Sequence, residues 1–312
     1  MVALPWKHVI ESQQFDRELL EVVFQVADQM KADLSGERKY AKALDGKIMA
    51  SLFYESSTRT RFSFESAILR LGGSVITTEN AREFSSASKG ESLADSTKII
   101  NGYADVIVMR HNEAGSAARA AEVSNIPIIN AGDGAGQHPT QALLDMYTIV
   151  DAFPKFESLK VAMVGDLRYG RTVRSLSYLL TKYENVEIIF VAPSVCKMEA
   201  DIKKYLDKNN VSWREETDLV QVAKEADCIY MTRVQKERFH SVDDYEAAAS
   251  KYILTKDIVK SMKKEAIIMH PLPRVDEIPP DVDDDPRARY FEQALNGLYI
   301  RMALLYLLLN NE

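Results

Sequence analysis

The chain has 312 residues, about twice the length of a typical domain, so we expect two hydrophobic cores. Hydrophobic residues make up 46% of the sequence and charged residues 27%, which is the balance of an ordinary soluble protein. The formal net charge is −7, and no basic block is long enough to follow a phosphate backbone. These values exclude a general nucleic-acid-binding protein.

Cysteine usage and the two ends of the chain bear on its location. Cys196 and Cys228 are the only cysteines and form no CxxC pair, which predicts a reducing compartment, the cytoplasm, and no structural zinc. The first residues, MVALPWKHVI, contain no apolar core of the length found in secretion signals. The C-terminal run MALLYLLL is much shorter than the roughly 20 residues of a bilayer span, so we expect a docked helix and no membrane partner.

The first predicted element is an amphipathic helix in DRELLEVVFQVADQM, with apolar residues at helical spacing. Short apolar runs with polar ends then follow, and helical stretches separate most of them. In chain order these runs are KIMASLFY, SVITTE, DVIVMRH, IPIINAG, KVAMVGD, VEIIFVAP, DCIYMTR and AIIMHPLP. Strands that alternate with helices predict an α/β fold of parallel sheets flanked by helices on both faces.

The apolar runs form two groups, four before residue 133 and four after Lys160, which predicts two doubly wound domains of similar size. The segment PTQALLDMYTIVDAF lies between the groups. Pro139 suits the first turn of a helix, and Leu143, Tyr147 and Val150 would form its buried face. We therefore predict a helix that links the domains, with the boundary between residues 139 and 140.

Cations follow most of the predicted strands. In parallel sheets of this kind, ligands bind outside the carboxyl ends of the strands. The segments at these ends are STRTR, Arg110 with His111, AGDGAGQHPTQ, LRYGRT, RVQKER, and His270 with PLPR. Because a chain that is acidic overall places cations where ligands are expected, we predict a small substrate with several negative charges.

The stretch ESSTRTRFSFES lies where the first strand passes into a helix that begins near Ser57. The first N–H groups of a helix have no partner within the helix, and the helix dipole adds positive potential there. Thr58, Arg59 and Thr60 would therefore bind an anion at this turn. The alternative is a serine-rich N-cap with solvated arginines, although capping needs only one hydroxyl.

Three further segments have two interpretations each. NAREFSSASKGES, which carries Lys89, is either a mobile solvated loop or a lid over an anionic ligand. Arg110 at a strand end indicates a salt bridge or a ligand. In QHPTQ, His138 either caps a helix, with Gln141 in its first turn, or hydrogen-bonds a polarised carbonyl. No two histidines are three or four residues apart, so we expect no histidine metal site.

Two glycine patterns do not match nucleotide-binding motifs. GDGAG lacks the spacing of the dinucleotide fingerprint, and GDLRYGRT has Arg171 where a phosphate loop requires lysine. Arg171 would instead pair with a carboxylate.

In TRVQKER, Arg233 and Gln235 are two apart and offer a guanidinium and an amide on one side of an extended segment. In HPLPR, prolines on both sides of Leu272 predict an extended backbone with free carbonyls, or simply a rigid turn.

These motifs resemble the aspartate/ornithine carbamoyltransferase superfamily over nearly the whole chain. They are FYESSTRTRFSFE, SKGESLADS, VMRH, NAGDGAGQHPTQALLD, MVGDLRYGRTVRSL, YMTRVQKER, HPLPRVDEI and YFEQALNGLYIRMALL. Ornithine-specific members typically carry a cysteine in HCLP, whereas this chain has Pro271 in HPLP. TRVQKER and PLPRVDEI are similar to aspartate-specific members. The resemblance thus implies carbamoyl transfer from carbamoyl phosphate to the amine of L-aspartate, an early step of pyrimidine synthesis.

The resemblance also implies roles for single residues. Those implied for carbamoyl phosphate are Ser57, Thr58, Arg59, Thr60, Ser85, Lys89, Arg110, His138 and Gln141. Those implied for aspartate are Lys89, Arg171, Arg233, Gln235, Pro271 and Leu272. The implied catalytic group is Arg59, Thr60, Arg110 and His138, of which the last three would contact the carbonyl oxygen. The carbamoyl nitrogen would be held by Gln141 and the backbone carbonyls of Pro271 and Leu272.

Assembly and domain limits follow from the same resemblance. Ser85 and Lys89 match a loop donated by a neighbouring subunit, which implies a homotrimer with shared active sites. The family returns its C-terminal helix to the first domain, so we predict residues 1–139 plus 290–312 as the carbamoyl-phosphate-binding domain. Residues 140–289 would form the aspartate-binding domain.

No cofactor or metal is expected, and the sequence leaves open whether regulatory chains bind. The alternatives to an aspartate enzyme are a carbamoyltransferase with another amine acceptor, such as ornithine, and a non-catalytic anion-binding subunit of a pyrimidine-pathway complex. Nucleotide hydrolysis at GDLRYGRT is a third alternative, which Arg171 disfavours.

Overall fold

Buried strands that alternate with amphipathic helices divide the chain into two units. The computed structural model describes residues 4–84, 86–155, 158–234 and 252–310. The first unit comprises Met1–Leu144 with Leu295–Glu312, and the second comprises Asp145–Ala294. Each unit contains one parallel sheet flanked by helices, so the predicted α/β fold is confirmed.

The sheet of the first unit has four parallel strands in the order β2-β1-β3-β4. Their bounds are β1 Ile48–Phe53, β2 Ser74–Glu79, β3 Val106–His111 and β4 Ile128–Asp133. Strands β1, β3 and β4 are buried almost throughout, as expected for a sheet covered on both faces. Three of the four lie within the apolar runs that predicted them, and β4 extends one residue beyond its run, to Asp133.

The helices of the first unit are α1 Arg17–Leu34, α2 Thr58–Arg70, α3 Ala81–Phe84, α4 Leu93–Ile100 and α5 Ser116–Val123. Helix α1 buries the apolar face predicted for it, and the Asp16 side chain caps it by accepting a hydrogen bond from the Leu19 N–H at 2.8 Å. Helix α2 buries Phe64, Ala67 and Ile68, and the chain turns away at Gly72. Burial of these faces fixes both helices on the sheet.

The sheet of the second unit has five parallel strands in the order β7-β6-β5-β8-β9. Their bounds are β5 Leu159–Val164, β6 Val186–Val191, β7 Ser212–Glu216, β8 Cys228–Met231 and β9 Ile267–Met269. Four of these were predicted, but β7, with the sequence SWREE, was not. It is an edge strand and is too polar to appear as an apolar run.

The remaining helices are α6 Pro139–Ala152, α7 Arg171–Leu180, α8 Ala200–Lys208, α9 Leu219–Ala223, α10 Lys256–Ser261 and α11 Tyr290–Leu309. The predicted linking helix is α6, which passes from the first unit into the second at residues 144 and 145. Helix α11 passes back at residues 294 and 295.

The C-terminal helix α11 returns to the first unit, as predicted. Arg301 on α11 donates a hydrogen bond to Ser63 Oγ of α2 at 2.7 Å, and its guanidinium lies 5.0 Å from the centre of the Phe64 ring. Tyr306 contacts Tyr40 edge to face at 5.4 Å. Within the described residues, no helix has the length and apolarity needed to cross a membrane.

Strand order places one topological switch point in each unit. In the first unit the chain moves from β1 outward to β2 and then back past β1 to β3, so the switch point lies between β1 and β3. In the second unit the corresponding neighbours are β5 and β8. Crevices outside the carboxyl ends of such strand pairs are the usual ligand sites of open α/β sheets.

Candidate functional site

The N-terminus of α2 lies directly after β1, at the switch point of the first unit. Ser57 is the N-cap residue with an extended backbone, and its carbonyl accepts the Arg61 N–H at 3.0 Å. Its side chain makes no capping hydrogen bond, and no acidic residue lies in the first turn. The first-turn amides of α2 therefore face outward without the side-chain cap that α1 has, which favours an anion site over a serine cap.

The side chains of this turn differ in exposure. Thr60 is buried, Ser57 is half-buried, and Thr58 and Arg59 are exposed. Desolvation by neighbouring atoms lowers the pKa of the Arg59 guanidinium. Within the described residues no carboxylate forms an ion pair with Arg59, so its charge adds to the helix dipole at the same place.

Arg110 lies at the carboxyl end of β3, the strand that pairs with β1. Its side chain is buried and donates a hydrogen bond from Nη2 to Glu55 Oε1 at 2.6 Å, while Nη1 donates to the Ala131 carbonyl at 3.3 Å. The Tyr54 N–H donates to the Arg110 carbonyl at 2.8 Å, which aligns the two strand ends. The salt bridge expected for a strand-end arginine is thus present, and it lies beside the α2 N-terminus.

His138 immediately precedes α6, which follows β4. It is almost fully buried, and its backbone carbonyl accepts the N–H groups of Gln141 and Ala142 at 3.0 and 3.1 Å. His138 therefore caps α6 through its backbone, and its ring Nδ1 lies 3.5 Å from Thr140 Oγ1. Gln141, in the first turn, is also buried.

The GDGAG turn that leads to His138 is organised by Asp133. Asp133 Oδ1 accepts the Gln137 N–H at 2.8 Å, and Oδ2 accepts the Gly115 N–H at 2.8 Å. At Gly134, with φ of 51°, an added Cβ would lie 2.6 Å from the Asn112 carbonyl oxygen. Asp133 thus holds the turn that sets the position of His138.

The segment predicted as a mobile loop contains two short helical turns, α3 and a 3-10 turn at Ser86–Lys89. Asn80 begins the first by donating from Nδ2 to Glu83 Oε2 at 2.8 Å. Lys89 is exposed, and no described contact joins it to the α2 turn. Ser85 lies outside the described residues.

In the second unit, the ends of β5 and β8 lie against each other. Gly165, with φ of 112°, follows β5, and a Cβ there would lie 2.2 Å from the Thr232 carbonyl oxygen. The Thr232 N–H and hydroxyl both donate to the Val164 carbonyl at 2.8 Å. These contacts hold the loops that carry Arg171, the first residue of α7, and Arg233, two residues beyond β8. Both arginines are half-buried, so two guanidinium groups lie at the second switch point.

Pro271 and Leu272 follow β9, which neighbours β8. Of the two interpretations of HPLPR, the extended backbone is wrong and the turn is present, because φ at Leu272 is 53°. The Leu272 N–H donates to His270 Nδ1 at 2.7 Å, which explains why the chain turns locally instead of extending. Both residues remain half-buried. Gln235, the other expected amide, lies outside the described residues.

Three residues in direct contact with these sites were not predicted from sequence, namely Glu55, Asp133 and Glu277. An acidic residue after a strand and before a glycine turn is a signal that could have revealed Asp133. In the described parts of the chain, no group of three or more His, Cys, Asp or Glu side chains could hold a metal ion. Cys196 and Cys228 are buried free thiols, and burial raises the pKa of Cys196 to about 12.

Comparison with protein families gives two matches that together cover most of the chain. Residues 7–151 match the aspartate/ornithine carbamoyltransferase carbamoyl-P binding domain. Residues 157–308 match the aspartate/ornithine carbamoyltransferase Asp/Orn binding domain. The first match contains the α2 turn, Arg110 and His138, and the second contains Arg171, Arg233 and the HPLPR segment.

Individual proteins agree with these matches. The chain is 59% identical to the chloroplastic aspartate carbamoyltransferase of Arabidopsis thaliana over 302 residues, covering 96% of this chain and 77% of that protein. It is 47% identical over 306 residues to the aspartate carbamoyltransferase catalytic subunit of Methanocaldococcus jannaschii, covering 98% and 99% of the two chains.

Solved structures agree as well. A crystal structure of the M. jannaschii catalytic subunit superposes with a TM-score of 0.92 at 46% identity, covering 98% of this chain and 99% of that one. The Trypanosoma cruzi aspartate transcarbamoylase in complex with N-(phosphonacetyl)-L-aspartic acid gives 0.92 at 38% identity, covering 99% and 98%. The resemblance in the motifs is thereby confirmed, and the chain belongs to the aspartate/ornithine carbamoyltransferase family.

Proposed function

We propose that this chain transfers the carbamoyl group of carbamoyl phosphate to the amine of L-aspartate, giving N-carbamoyl-L-aspartate and phosphate. The observation that carries the proposal is the uncapped N-terminus of α2 with Arg59, which lies beside Arg110 at the switch point of the first unit. Relatives named aspartate carbamoyltransferase at 46–59% identity support it. The product would enter pyrimidine synthesis.

In the first unit, Ser57, Thr58, Arg59 and Thr60 bind the phosphate of carbamoyl phosphate. Outward-facing amides at a helix start suit a phosphate group, and Arg59 supplies a charge that no carboxylate neutralises among the described residues. Arg110 approaches the same group, and phosphate then competes with Glu55 for its guanidinium. Because Arg110 is buried, its interaction with an anion is stronger than it would be in water.

The carbonyl carbon of carbamoyl phosphate is attacked by the neutral amine of aspartate, and a tetrahedral oxyanion forms. Arg110, His138 and Thr60 stabilise this oxyanion, an effect often worth about 3 kcal/mol per donor. The phosphate leaves and accepts the amine proton, so the reaction needs no separate protein base. Gln141 and the carbonyls of Pro271 and Leu272 orient the carbamoyl nitrogen.

The second unit selects the acceptor. Arg171 and Arg233 lie at its switch point and, with Gln235, bind the two carboxylates of aspartate. Ornithine has a cationic side chain, which two guanidinium groups would repel. The charge at this edge therefore favours a dicarboxylic amino acid over a diamino acid.

The test measures phosphate release and carbamoylated product from carbamoyl phosphate, with L-aspartate, L-ornithine and L-alanine as parallel acceptors. We expect product with aspartate only, because alanine lacks the second carboxylate. Product with ornithine would overturn the choice of acceptor. No product from folded protein with any acceptor would contradict the enzyme assignment and favour an anion-binding subunit.

We also propose a homotrimer in which the segment with Ser85 and Lys89 completes the site of a neighbouring subunit. Lys89 is exposed, and Phe62, Leu69 and Ile76 expose apolar surface on α2 and β2. A groove of about 440 Å³ lies beside Phe62 and Leu69, as expected for a surface that packs against another chain. All assigned residues lie in this chain, so the chemistry needs no regulatory chain.

The chain is proposed to act in a reducing compartment, the cytoplasm, because both of its cysteines are buried free thiols.

A further inference from the structure

His270 and Glu277 form a buried pair in the second unit that no step of the proposed reaction uses. His270 is 2% exposed and Glu277 is 8% exposed. Nε2 of the imidazole lies 2.7 Å from Oε1 of the carboxylate. A buried histidine and carboxylate at this distance set the orientation of each other, because each satisfies the other's polar atom.

The hydrogen bonds of the ring assign its proton. His270 Nδ1 accepts the backbone N–H of Leu272 at 2.7 Å, so Nδ1 carries no proton. The ring proton therefore lies on Nε2, which donates it to Glu277. In this neutral form, the imidazole connects the Leu272 amide to the carboxylate of Glu277.

Glu277 also holds the other end of the same loop. Its second oxygen, Oε2, accepts the Val275 N–H at 3.2 Å, and its backbone carbonyl accepts the Leu254 N–H at 2.8 Å. Two side chains therefore hold the segment 270–277. His270 accepts the N–H of Leu272, and Glu277 accepts the N–H of Val275. Leu272 needs this support, because a non-glycine residue with φ of 53° has an unfavourable backbone conformation.

The pair is anchored on its far side by a second buried chain of hydrogen bonds. The His270 N–H donates to Gln293 Oε1 at 2.8 Å, and Gln293 Nε2 donates to Asp145 Oδ1 at 2.6 Å. The Tyr230 hydroxyl donates to Asp145 Oδ2 at 2.7 Å. Hydrogen bonds therefore connect the His270 backbone to α11 and, through Gln293 and Asp145, to α6 and β8. They fix the backbone position of the residue whose ring accepts the Leu272 N–H.

We propose that His270 and Glu277 are positioning residues, which fix the Pro271–Leu272 peptide and thereby the direction of the two carbonyls that receive the N–H groups of the substrate. This inference rests on the proposed function, because that function assigns the carbonyls to the carbamoyl nitrogen and the aspartate site. Neither side chain contacts substrate in this scheme. Their effect is transmitted through the backbone of Leu272.

Two substitutions of similar size separate positioning from packing. In His270→Asn, the side-chain oxygen lies near the place of Nδ1 and still accepts the Leu272 N–H. In His270→Gln, the longer amide reaches toward Glu277 but leaves the Leu272 N–H without its acceptor. We expect His270→Asn to keep kcat/KM for aspartate within about threefold and His270→Gln to lower it by about 30-fold, the cost of a partly buried donor left unsatisfied.

Further measurements guard against a simple folding defect. Binding of inorganic phosphate alone is assigned to Ser57–Thr60 and Arg110 of the first unit, so it should be unchanged in both variants. Amide hydrogen exchange of the peptide spanning residues 270–275 should be slow in the wild type and His270→Asn and faster in His270→Gln. Equal losses in the two variants, in proportion to their thermal stability, would overturn the positioning role.

The two proposals fail in different ways. If the wild type makes no carbamoylaspartate, the proposed function fails, and hydrogen exchange still decides whether His270 holds Leu272. If the wild type is active and His270→Gln is as active as His270→Asn, the positioning proposal alone is wrong.

Discussion

Arg59 and Arg110, the two site arginines of the first unit, differ in how far their charges are already paired. Arg110 is buried and bonded to Glu55, whereas Arg59 is exposed and has no ion-pair partner among the described residues. Arg110 is therefore part of the folded architecture, and its removal leaves the Glu55 carboxylate without this donor. Arg59 forms no ion pair of this kind within the described residues, so its charge is available to a ligand.

Replacement of Arg59 by alanine should abolish most turnover without loss of structure. We expect kcat/KM for carbamoyl phosphate to fall by about 100-fold or more, because a charged phosphate contact is lost in a preorganised site. Arg110→Ala should be at least as inactive, and it too should stay folded. The matched control is Arg17→Ala on α1, whose exposed side chain pairs with the exposed Glu21. Circular dichroism checks folding, and unfolding of both site variants would show that these arginines are structural.

Glu277 predicts a pH dependence of stability. Burial disfavours its charged form, but hydrogen bonds from His270 and from the backbone amides of Glu277 and Val275 outweigh burial and lower the pKa of its carboxyl below the usual 4.5. Between the folded-state pKa and the unfolded value of 4.5, the Glu277 carboxyl binds more protons in the unfolded chain than in the folded chain. The stabilisation is thus complete well above pH 4.5 and is lost as the pH falls through the folded-state pKa.

The corresponding measurement compares wild type with Glu277→Gln by urea unfolding between about pH 7 and about pH 4. The stability advantage of the wild type should shrink as the pH falls, because the glutamine does not titrate. Glu122→Gln, at an exposed position of α5, should follow the wild type at every pH. A difference between wild type and Glu277→Gln that does not change with pH would refute this account of Glu277.

At this scale, sequence alone predicted the cations that lie at the carboxyl ends of the strands better than the groups that orient them. Arginines at strand ends are conspicuous in an acidic chain, and STRTR and RVQKER contain several. Asp133 has a local signal, its place before a glycine turn, but Glu55 and Glu277 are two of 46 acidic residues, and nothing local distinguishes them from solvated carboxylates. Their roles depend on contacts between segments far apart in sequence, such as Glu55 with Arg110.

Among the elements, the missed strand β7 shows where apolar patterning fails. Arg214 on β7 forms ion pairs with Glu187 on the neighbouring strand β6, with Glu216, and with Glu225. Lys160 on β5 pairs with Glu225 as well, at 2.7 Å. Charged side chains on an edge strand discourage pairing with another sheet, so the residues that protect β7 also hide it from a search for apolar runs.

Gly165 determines how closely the ends of β5 and β8 approach. An alanine there would bring a methyl group within 2.2 Å of the Thr232 carbonyl, at a φ that side chains rarely adopt. We expect Gly165→Ala to destabilise the protein by about 3 kcal/mol or more. Gly46→Ala is the control, since φ there is also positive at 78° but no atom lies within 4 Å of the added Cβ. It should cost only about 1 kcal/mol.

Denaturant unfolding of the two glycine variants measures this difference, and activity with aspartate provides a second readout. Gly165→Ala should also raise the KM for aspartate, because the displaced Thr232 precedes Arg233. Equal stability of the two variants would mean that the loops relax around the new methyl group.

For the whole molecule, the proposed shared site can be tested by mixing inactive chains. Lys89→Ala and Arg59→Ala should each be inactive alone. In an equal mixture of dissociated and reassembled chains, each mixed trimer has one site with native Arg59 and a native donated Lys89, so about a quarter of the wild-type activity should return. A mixture that stays inactive although mixed trimers form would contradict a donated Lys89.

A second mixture of two inactive variants is the control, because it should not regain activity. Arg59 and Arg110 lie at the same edge of one sheet, so both belong to the part of the site that one chain supplies. Mixing Arg59→Ala with Arg110→Ala should therefore restore nothing, because every site lacks one arginine. Activity in this mixture would indicate that Arg59 and Arg110 of one site come from different chains.

The two buried cysteines make the native chain nearly inert to thiol reagents. With a pKa of about 12, Cys196 has a thiolate fraction of about 10⁻⁵ at neutral pH, and burial raises the pKa of Cys228 as well. A single cysteine introduced at Ser88, beside Lys89, would then be the only reactive thiol of the labelled protein. A fluorophore attached there would report directly on the segment proposed to reach a neighbouring subunit, with no need to remove either native cysteine first.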